Sequence, residues 1–206
     1  MKLFEKGLLS AALILSASAV IVAQAPPPGR GGGPRLTFWV SSTAWPDGGE
    51  IPMKYSSRGD NKSPAFEFHW TLGANAVAAP DSVKTYAVVL RDMQNATNKT
   101  NVDTLHWAAF NIPGTAKGLP EGLASGDLPD GTRNGPGVAA GRGNPPAYFG
   151  PGAPAGPYHH YAVEFFALDT KLDLGPDTPR ADVFNAIQGH ILAKAVYEGR
   201  FHLTAK

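Results

Sequence analysis

The chain has 206 residues, with 18 Lys+Arg, 17 Asp+Glu and a net charge of +1, which excludes the basic footprint of a nucleic-acid-binding domain. Charged residues make up 17% against 43% hydrophobic, so an extended, charge-rich disordered chain is also excluded. Cysteine is absent, which removes disulfides, thiolate nucleophiles, iron–sulfur clusters, cysteine-based zinc sites and a lipid-modified N-terminal cysteine.

Lys2 and Lys6 precede an apolar run from Leu8 to Val22, shorter than the roughly 20 residues a membrane-spanning helix requires. The run closes on Ala23-Gln24-Ala25, a small-x-small pattern. Residues 1–25 read as a secretory signal peptide cleaved after Ala25, with an uncleaved anchor as the alternative. A secreted or periplasmic location is expected. Without those residues the chain carries 16 basic and 16 acidic side chains, so no polybasic patch remains to hold it to a membrane. Residues 26–35 (Pro-Pro-Pro-Gly-Arg-Gly-Gly-Gly-Pro-Arg) have the composition of a linker, and residues 36–206 form the expected domain.

That domain reads as mostly β. With 24 Gly and 19 Pro and no collagen-like period, turns and short strands are favoured over long helices. Strands are predicted at 37–41, 65–70, 85–90, 104–112 and 161–168, each apolar or alternating and bounded by Gly, Pro, Asn or Asp. A helix is predicted near the C-terminus, with Thr178 as cap, Pro179 at its first position, and Val183, Ile187 and Ile191 repeating at i, i+4, i+8. A last strand follows at 195–203, with Gly199 marking a bulge or close approach.

From Pro113 to Pro157, 21 of 45 residues are Gly or Pro. So long a structureless stretch inside a domain is uncommon and tends to be functional. Its first part, to about Asn144, has a mobile composition. Its second part, 145–158, carries Tyr148, Phe149 and Tyr158 among prolines and can pack as a pocket wall.

Polar residues in the strands point to chemistry. His106 lies between apolar neighbours on a strand expected to be central, and Asp92 ends the Tyr-Ala-Val-Val-Leu run. His159 and Tyr161, two apart, share a face, whereas His160 and Glu164 fall on the opposite, outer one. Asp92, His106, His159 and Tyr161 can therefore converge at one end of a sheet. Two imidazoles, a carboxylate and a phenol suit a small oxyanion or a phosphate-bearing head group, to which a protonated His donates charge-assisted hydrogen bonds.

Blander readings compete. A lone strand His is more often structural than a ligand group. His159-His160 resembles a metal pair, but adjacent strand residues face opposite ways; a zinc site from His106, His159 and Asp92 is geometrically possible, yet neither a metal nor a cofactor is expected. Ala124-Ser125-Gly126 lacks the nucleophile elbow, and Gly141-Arg142-Gly143 lacks the helix a dinucleotide loop requires. Asn95-Ala96-Thr97 and Asn98-Lys99-Thr100 match glycosylation acceptors, a pattern of low specificity.

A set of motifs, in order and spacing, resembles one family. These are Asp47-Gly48-Gly49 with Ile51-Pro52, Gly59-x-Asn61-x-Ser63-Pro64-x-Phe66, the strand ending in Asp92, and His106-Trp107 through Asn111-Ile112-Pro113. Tyr148-x-Gly150-Pro151-x-x-Pro154-x-Gly156, His159-x-Tyr161 and Phe166-Ala167-Leu168-Asp169 complete them. The chain resembles the phosphatidylethanolamine-binding protein family, in its bacterial Raf-kinase-inhibitor-like branch. The resemblance implies a β-sandwich-like fold, with a large antiparallel sheet packed on a smaller one and a few peripheral helices. It implies a ligand pocket at one end of the large sheet, formed here by Asp92, His106, Pro154, His159 and Tyr161. Family members bind phosphate-bearing head groups, nucleotides or phosphopeptides, and some inhibit kinases or proteases.

The family's Asp-Pro-Asp-x-Pro motif reads Asp92-Met93-Gln94-Asn95-Ala96 here. Loss of the second acid is expected to make the pocket less negative, to loosen its rim, and to weaken amine recognition more than anion recognition. The loop is also expanded around 138–146. The expected function is a non-catalytic exported binding protein for a small anionic or phospho-head-group ligand, with inhibition or modulation of a kinase or protease as an extension of that reading. The alternative is a hydrolase-like enzyme with a His general base oriented by Asp92. An exported location argues against an intracellular kinase target, and the sequence identifies no protein partner.

Overall fold

The computed structural model describes residues 33–95, 99–135, 147–175 and 180–205. The expected signal peptide, most of the linker, the Thr178-Pro179 cap, the core of the glycosylation motifs and the 138–146 expansion lie outside them.

Two sheets carry the fold. The smaller has β1 (Leu36–Ser41), β3 (Phe66–Leu72) and β4 (Asn75–Val77) in that order, with β7 (Gly118–Leu119) also on β3. The larger runs β2 (Gly49–Glu50), β11 (Ile191–Phe201), β10 (His159–Leu168), β5 (Thr85–Asp92), β6 (Thr104–Pro113), β9 (Arg133–Asn134) and β8 (Gly126–Asp127). Every predicted long strand is present. The larger sheet is antiparallel except at β2, which lies parallel to β11 through Gly199↔Gly49 and Arg200↔Glu50. Gly199 is a close approach as expected, because a Cβ there would sit 2.5 Å from Ile51 Cγ1.

β5, β6 and β10 are buried on both faces, which is why they read as continuous apolar runs rather than alternating ones. One face packs on the small sheet. There Phe38, Phe66, Phe68 and Trp70 meet Tyr86, Val88, Trp107, Phe165 and Tyr197. Trp70 Nε1 donates to the Tyr86 hydroxyl at 3.0 Å, so a buried indole N–H of one sheet is satisfied by the other. Burial pushes the Tyr86 phenol above its usual range. The second face is covered by α1 (Arg180–Ile187) and the 168–174 segment, with Val183, Ile187 and Leu172 over Ala87, Val89, Phe110 and Phe166.

The structure departs from expectation in four places, the first being that Ile191, placed on the helix by its period, instead opens β11 opposite Leu168. Among the described residues α1 is the one α-helix, accompanied by a 3-10 turn at Met53–Tyr55, rather than several peripheral helices. Residues 113–135, the described portion of the part expected to be mobile up to about Asn144, carry the short strands β7, β8 and β9, with Thr132 and Asn134 buried. Asn134 explains this, since its amide donates to the Leu123 and Ala124 carbonyls and accepts from Trp107 Nε1. Glu164, assigned to an outer face, is 5% exposed. It is on the predicted face, but that face is itself covered. Arg91 Nε lies 2.6 Å from Glu164 Oε2, and Lys194 pairs with the other oxygen, so the buried carboxylate is compensated.

Candidate ligand-binding site

Three segments meet at the end of the large sheet where β5 finishes and β10 begins. Tyr161 pairs with Asp92 across β10 and β5. Asp92 follows Tyr86, Val88 and Leu90 at two-residue steps, and Tyr161 precedes Val163 and Phe165, so both are on the inter-sheet side. His106 arrives there by another route. β6 pairs Trp107 with Leu90 but Leu105 with Arg91, so His106 is the extra residue of a bulge. The bulge sets His106 beside Trp107 rather than behind it. Its ring is edge-on to Tyr161 at 5.4 Å between centroids.

The wall opposite is residues 147–154, the part of the Gly/Pro segment expected to hold one shape. Gly150 N donates to Asn61 Oδ1 at 2.8 Å, Ser57 N donates to Pro151 O at 2.9 Å, and the buried Tyr148 hydroxyl donates to Tyr55 O at 2.6 Å. Gly150 is required by space, because a Cβ would lie 2.0 Å from Tyr55 O. Gly150→Ala is therefore expected to lower stability by about 1–3 kcal/mol and to displace the wall. Thermal unfolding followed by ligand titration checks this, and an unchanged melting temperature would mean the wall is not seated on residue 55.

Between these segments lies a cavity of about 510 Å³ bordered by all five sequence-predicted residues, Asp92, His106, Pro154, His159 and Tyr161. His159 Nδ1 is 2.7 Å from Asp92 Oδ2, and the other Asp92 oxygen accepts from Gln94 N at 3.0 Å. His106 Nδ1 is 2.9 Å from Phe149 O and 3.2 Å from Gly150 O. Carbonyls only accept, so this nitrogen carries a proton. Both imidazoles are thus oriented through Nδ1. The Tyr161 hydroxyl is buried without a well-aligned hydrogen bond, next to the Asp92 carboxylate and the Gly152 and Ala153 amides. Burial, and then the negative charge of Asp92, push its phenol well above the ordinary value, so it keeps its proton through the neutral range.

A family model described as phosphatidylethanolamine-binding protein matches residues 41–202. The chain belongs to the phosphatidylethanolamine-binding protein family. A UPF0098 protein of Methanothermobacter thermautotrophicus is 35% identical over 163 residues, covering 79% of this chain and 97% of the relative. LppC of Mycobacterium tuberculosis, whose name calls it a lipoprotein, is 27% identical over 168 residues, 79% of this chain and 71% of that one. Two solved structures share the fold: E. coli YbcL, at TM-score 0.65 and 24% identity, covering 81% of this chain and 99% of that one, and the family homologue CT736 of Chlamydia trachomatis, at 0.65 and 23%, covering 80% and 97%.

Within this phosphatidylethanolamine-binding protein fold, one sequence expectation is corrected. Gln94, standing where the family has its second acid, does not border the cavity or loosen its rim. Its Oε1 accepts from His160 N at 2.6 Å and its Nε2 is 2.6 Å from His160 Nδ1. With Met93 N donating to His160 O at 2.9 Å, the rim is clamped to the start of β10. The amide supplies one oxygen and one nitrogen to these two contacts.

Sequence reasoning missed Arg58, Ser57, Asn95 and Thr104, which also border the cavity, whereas Phe149 borders it from the segment expected to form a wall. Arg58 and Ser57 had a signal available. They immediately precede the Gly59-x-Asn61 motif, in a turn that Asn61, at φ 55°, closes in the left-handed region.

Proposed function

We propose that this family member is a non-catalytic binding protein for a small anion or a phosphate-bearing head group, held in the cavity by Asp92, His106, Pro154, His159 and Tyr161. The observation that carries this is the Asp92–His159 pair at the cavity wall. The carboxylate fixes the ring through Nδ1, so Nε2 is the atom that meets a ligand, and an imidazolium there donates a charge-assisted hydrogen bond to an oxyanion. Tyr161 supplies a second proton and Pro154 an apolar edge, while His106 adds a second imidazole.

A carboxylate-oriented His is also half of a general-base arrangement. However, the Ser57 hydroxyl at the same cavity donates to the Pro151 carbonyl at 3.1 Å rather than to an imidazole. That favours binding over hydrolysis. The location proposed is outside the cytoplasm, supported by the Leu8–Val22 run, the Ala23-Gln24-Ala25 pattern and a relative named as a lipoprotein.

The test is titration calorimetry of the purified protein with inorganic phosphate. Saturable binding that His159→Ala weakens is expected, since His159 Nδ1 faces Asp92 and leaves Nε2 for the ligand. Binding that this substitution leaves unchanged would remove His159 as the donor, and no binding at all would remove the anion reading.

A further inference from the structure

The charges around the cavity are unevenly disposed. Among the described residues its ionisable neighbours are Arg58, Asp92, His106, His159 and Tyr161. Asp92, the one carboxylate among the described cavity-lining residues, has a side chain 3% exposed. One of its oxygens accepts from Gln94 N and the other from His159 Nδ1, and the Tyr161 hydroxyl lies beside it. Arg58 is the opposite case. It is exposed, and among the described residues its guanidinium is in no ion pair, while its backbone N–H donates to Ser56 Oγ at 3.1 Å. Asp60, in the same turn, is exposed and does not border the cavity.

These features decide what such a site accepts. An ammonium group entering it needs a carboxylate or an open aromatic cage. The carboxylate is sequestered. The Tyr161 ring is flanked by both imidazoles, at 5.4 and 6.4 Å, and Phe149 stacks on His106 at 6.1 Å, so neither ring belongs to a cage. A phosphate monoester carries about 1.5–2 negative charges at neutral pH. A phosphoethanolamine diester carries a single negative charge balanced by its ammonium. A guanidinium, with paired donors in a planar fork, matches the terminal oxygens of the monoester.

We infer that Arg58 makes this cavity select phosphate monoesters over zwitterionic phosphoethanolamine head groups. The inference rests on the anion-binding reading of the same cavity and adds its substrate class. Arg58 is a specificity residue at the mouth, while the imidazoles and Tyr161 hold the phosphate itself.

The experiment is calorimetry of the full-length protein, wild type, Arg58→Ala and Arg58→Glu, with glycerol 3-phosphate and with glycerophosphoethanolamine. Wild type is expected to prefer glycerol 3-phosphate by roughly tenfold or more, the scale of one charge-assisted hydrogen bond. Arg58→Ala removes the preference and Arg58→Glu reverses it, with melting temperatures unchanged because the side chain is exposed. Dihexanoyl phosphatidic acid should show the same Arg58 dependence; tighter binding than glycerol 3-phosphate marks a lipid as the source, and equal binding a soluble ester. Equal affinity for both glycerol esters in all three proteins overturns the selectivity and leaves the anion site standing. Failure of every probe, inorganic phosphate included, overturns the anion site and the selectivity together.

Discussion

Replacing His106 and His159 together with alanine is expected to weaken inorganic phosphate binding by a hundredfold or more, since each charge-assisted hydrogen bond contributes about 1.5–3 kcal/mol. The two residues reach the cavity from different strands, β6 and β10, and are held by different partners. His159 is fixed by Asp92 and His106 by the Phe149 and Gly150 carbonyls. Their losses should therefore be separable. His159→Ala leaves Asp92 as a carboxylate of 3% exposure with one acceptor contact removed, at the place where the anion sits. That single change should reduce binding more than His106→Ala does, because it both deletes a donor and uncovers a negative charge. Asp92→Asn in the His159→Ala background removes the uncovered charge and should restore part of the affinity. Isothermal titration of wild type and the four variants checks this ordering, and equal affinities for wild type and the His106→Ala/His159→Ala variant would exclude the cavity as the phosphate site. Circular dichroism must accompany it, since the His106 ring also ties β6 to the 149–150 wall.

Trp107→Ala is expected to have the largest effect on the fold, about 3–5 kcal/mol of lost stability. The indole is fully buried between the sheets, edge-on to Tyr148 at 5.5 Å, and its Nε1 donates to Asn134 Oδ1 at 2.6 Å. Its removal leaves a large cavity and also strips an acceptor's partner from Asn134, which holds the Leu123 and Ala124 carbonyls. The damage should therefore spread from β6 to β9 and to the Tyr148 wall. Trp107→Phe fills most of the space without the N–H and should cost less, by the difference between a void and an unmet hydrogen bond. Urea unfolding of both variants separates the two contributions. A phenylalanine variant as unstable as the alanine one would show that the Asn134 bond, rather than packing, fixes this region.

Much of the architecture was legible in the sequence because burial leaves a local trace. The runs at 85–90, 104–112 and 161–168 are apolar at consecutive positions, and only a strand covered on both faces calls for that. The spacing of His159 and Tyr161 was equally readable, since alternate residues of a strand share a face whatever surrounds them. What the family motifs added was the place of Pro154, whose loop has no periodicity from which a position could be read. β2, β7, β8 and β9, each of two residues, were not legible. Strands so short are defined by their partners and carry no pattern of their own.

Glu164 marks the limit of the pattern. Its face follows from counting by two, but its environment does not, because the neutralising charges come from Arg91 on β5 and Lys194 on β11. Gln94 is similar: the loss of an acid was visible in the sequence, whereas its clamp on His160 depends on a strand 66 residues away.

By itself the sequence determined the strands, the absence of cysteine chemistry, and the shared face of His159 and Tyr161, all consequences of composition and local period. Tertiary structure alone decided the rest of the cavity. Alternation along β6 would send His106 and Trp107 to opposite faces. The bulge opposite Leu90 and Arg91 brings them together, and a bulge is set by the register of the neighbouring strand. Arg58 reaches the mouth of the cavity only because Asn61 and Ser57 bind the backbone of residues 148–151, far along the chain. Hydrogen bonds between such distant segments have no local period, so no local reading of the sequence could place them.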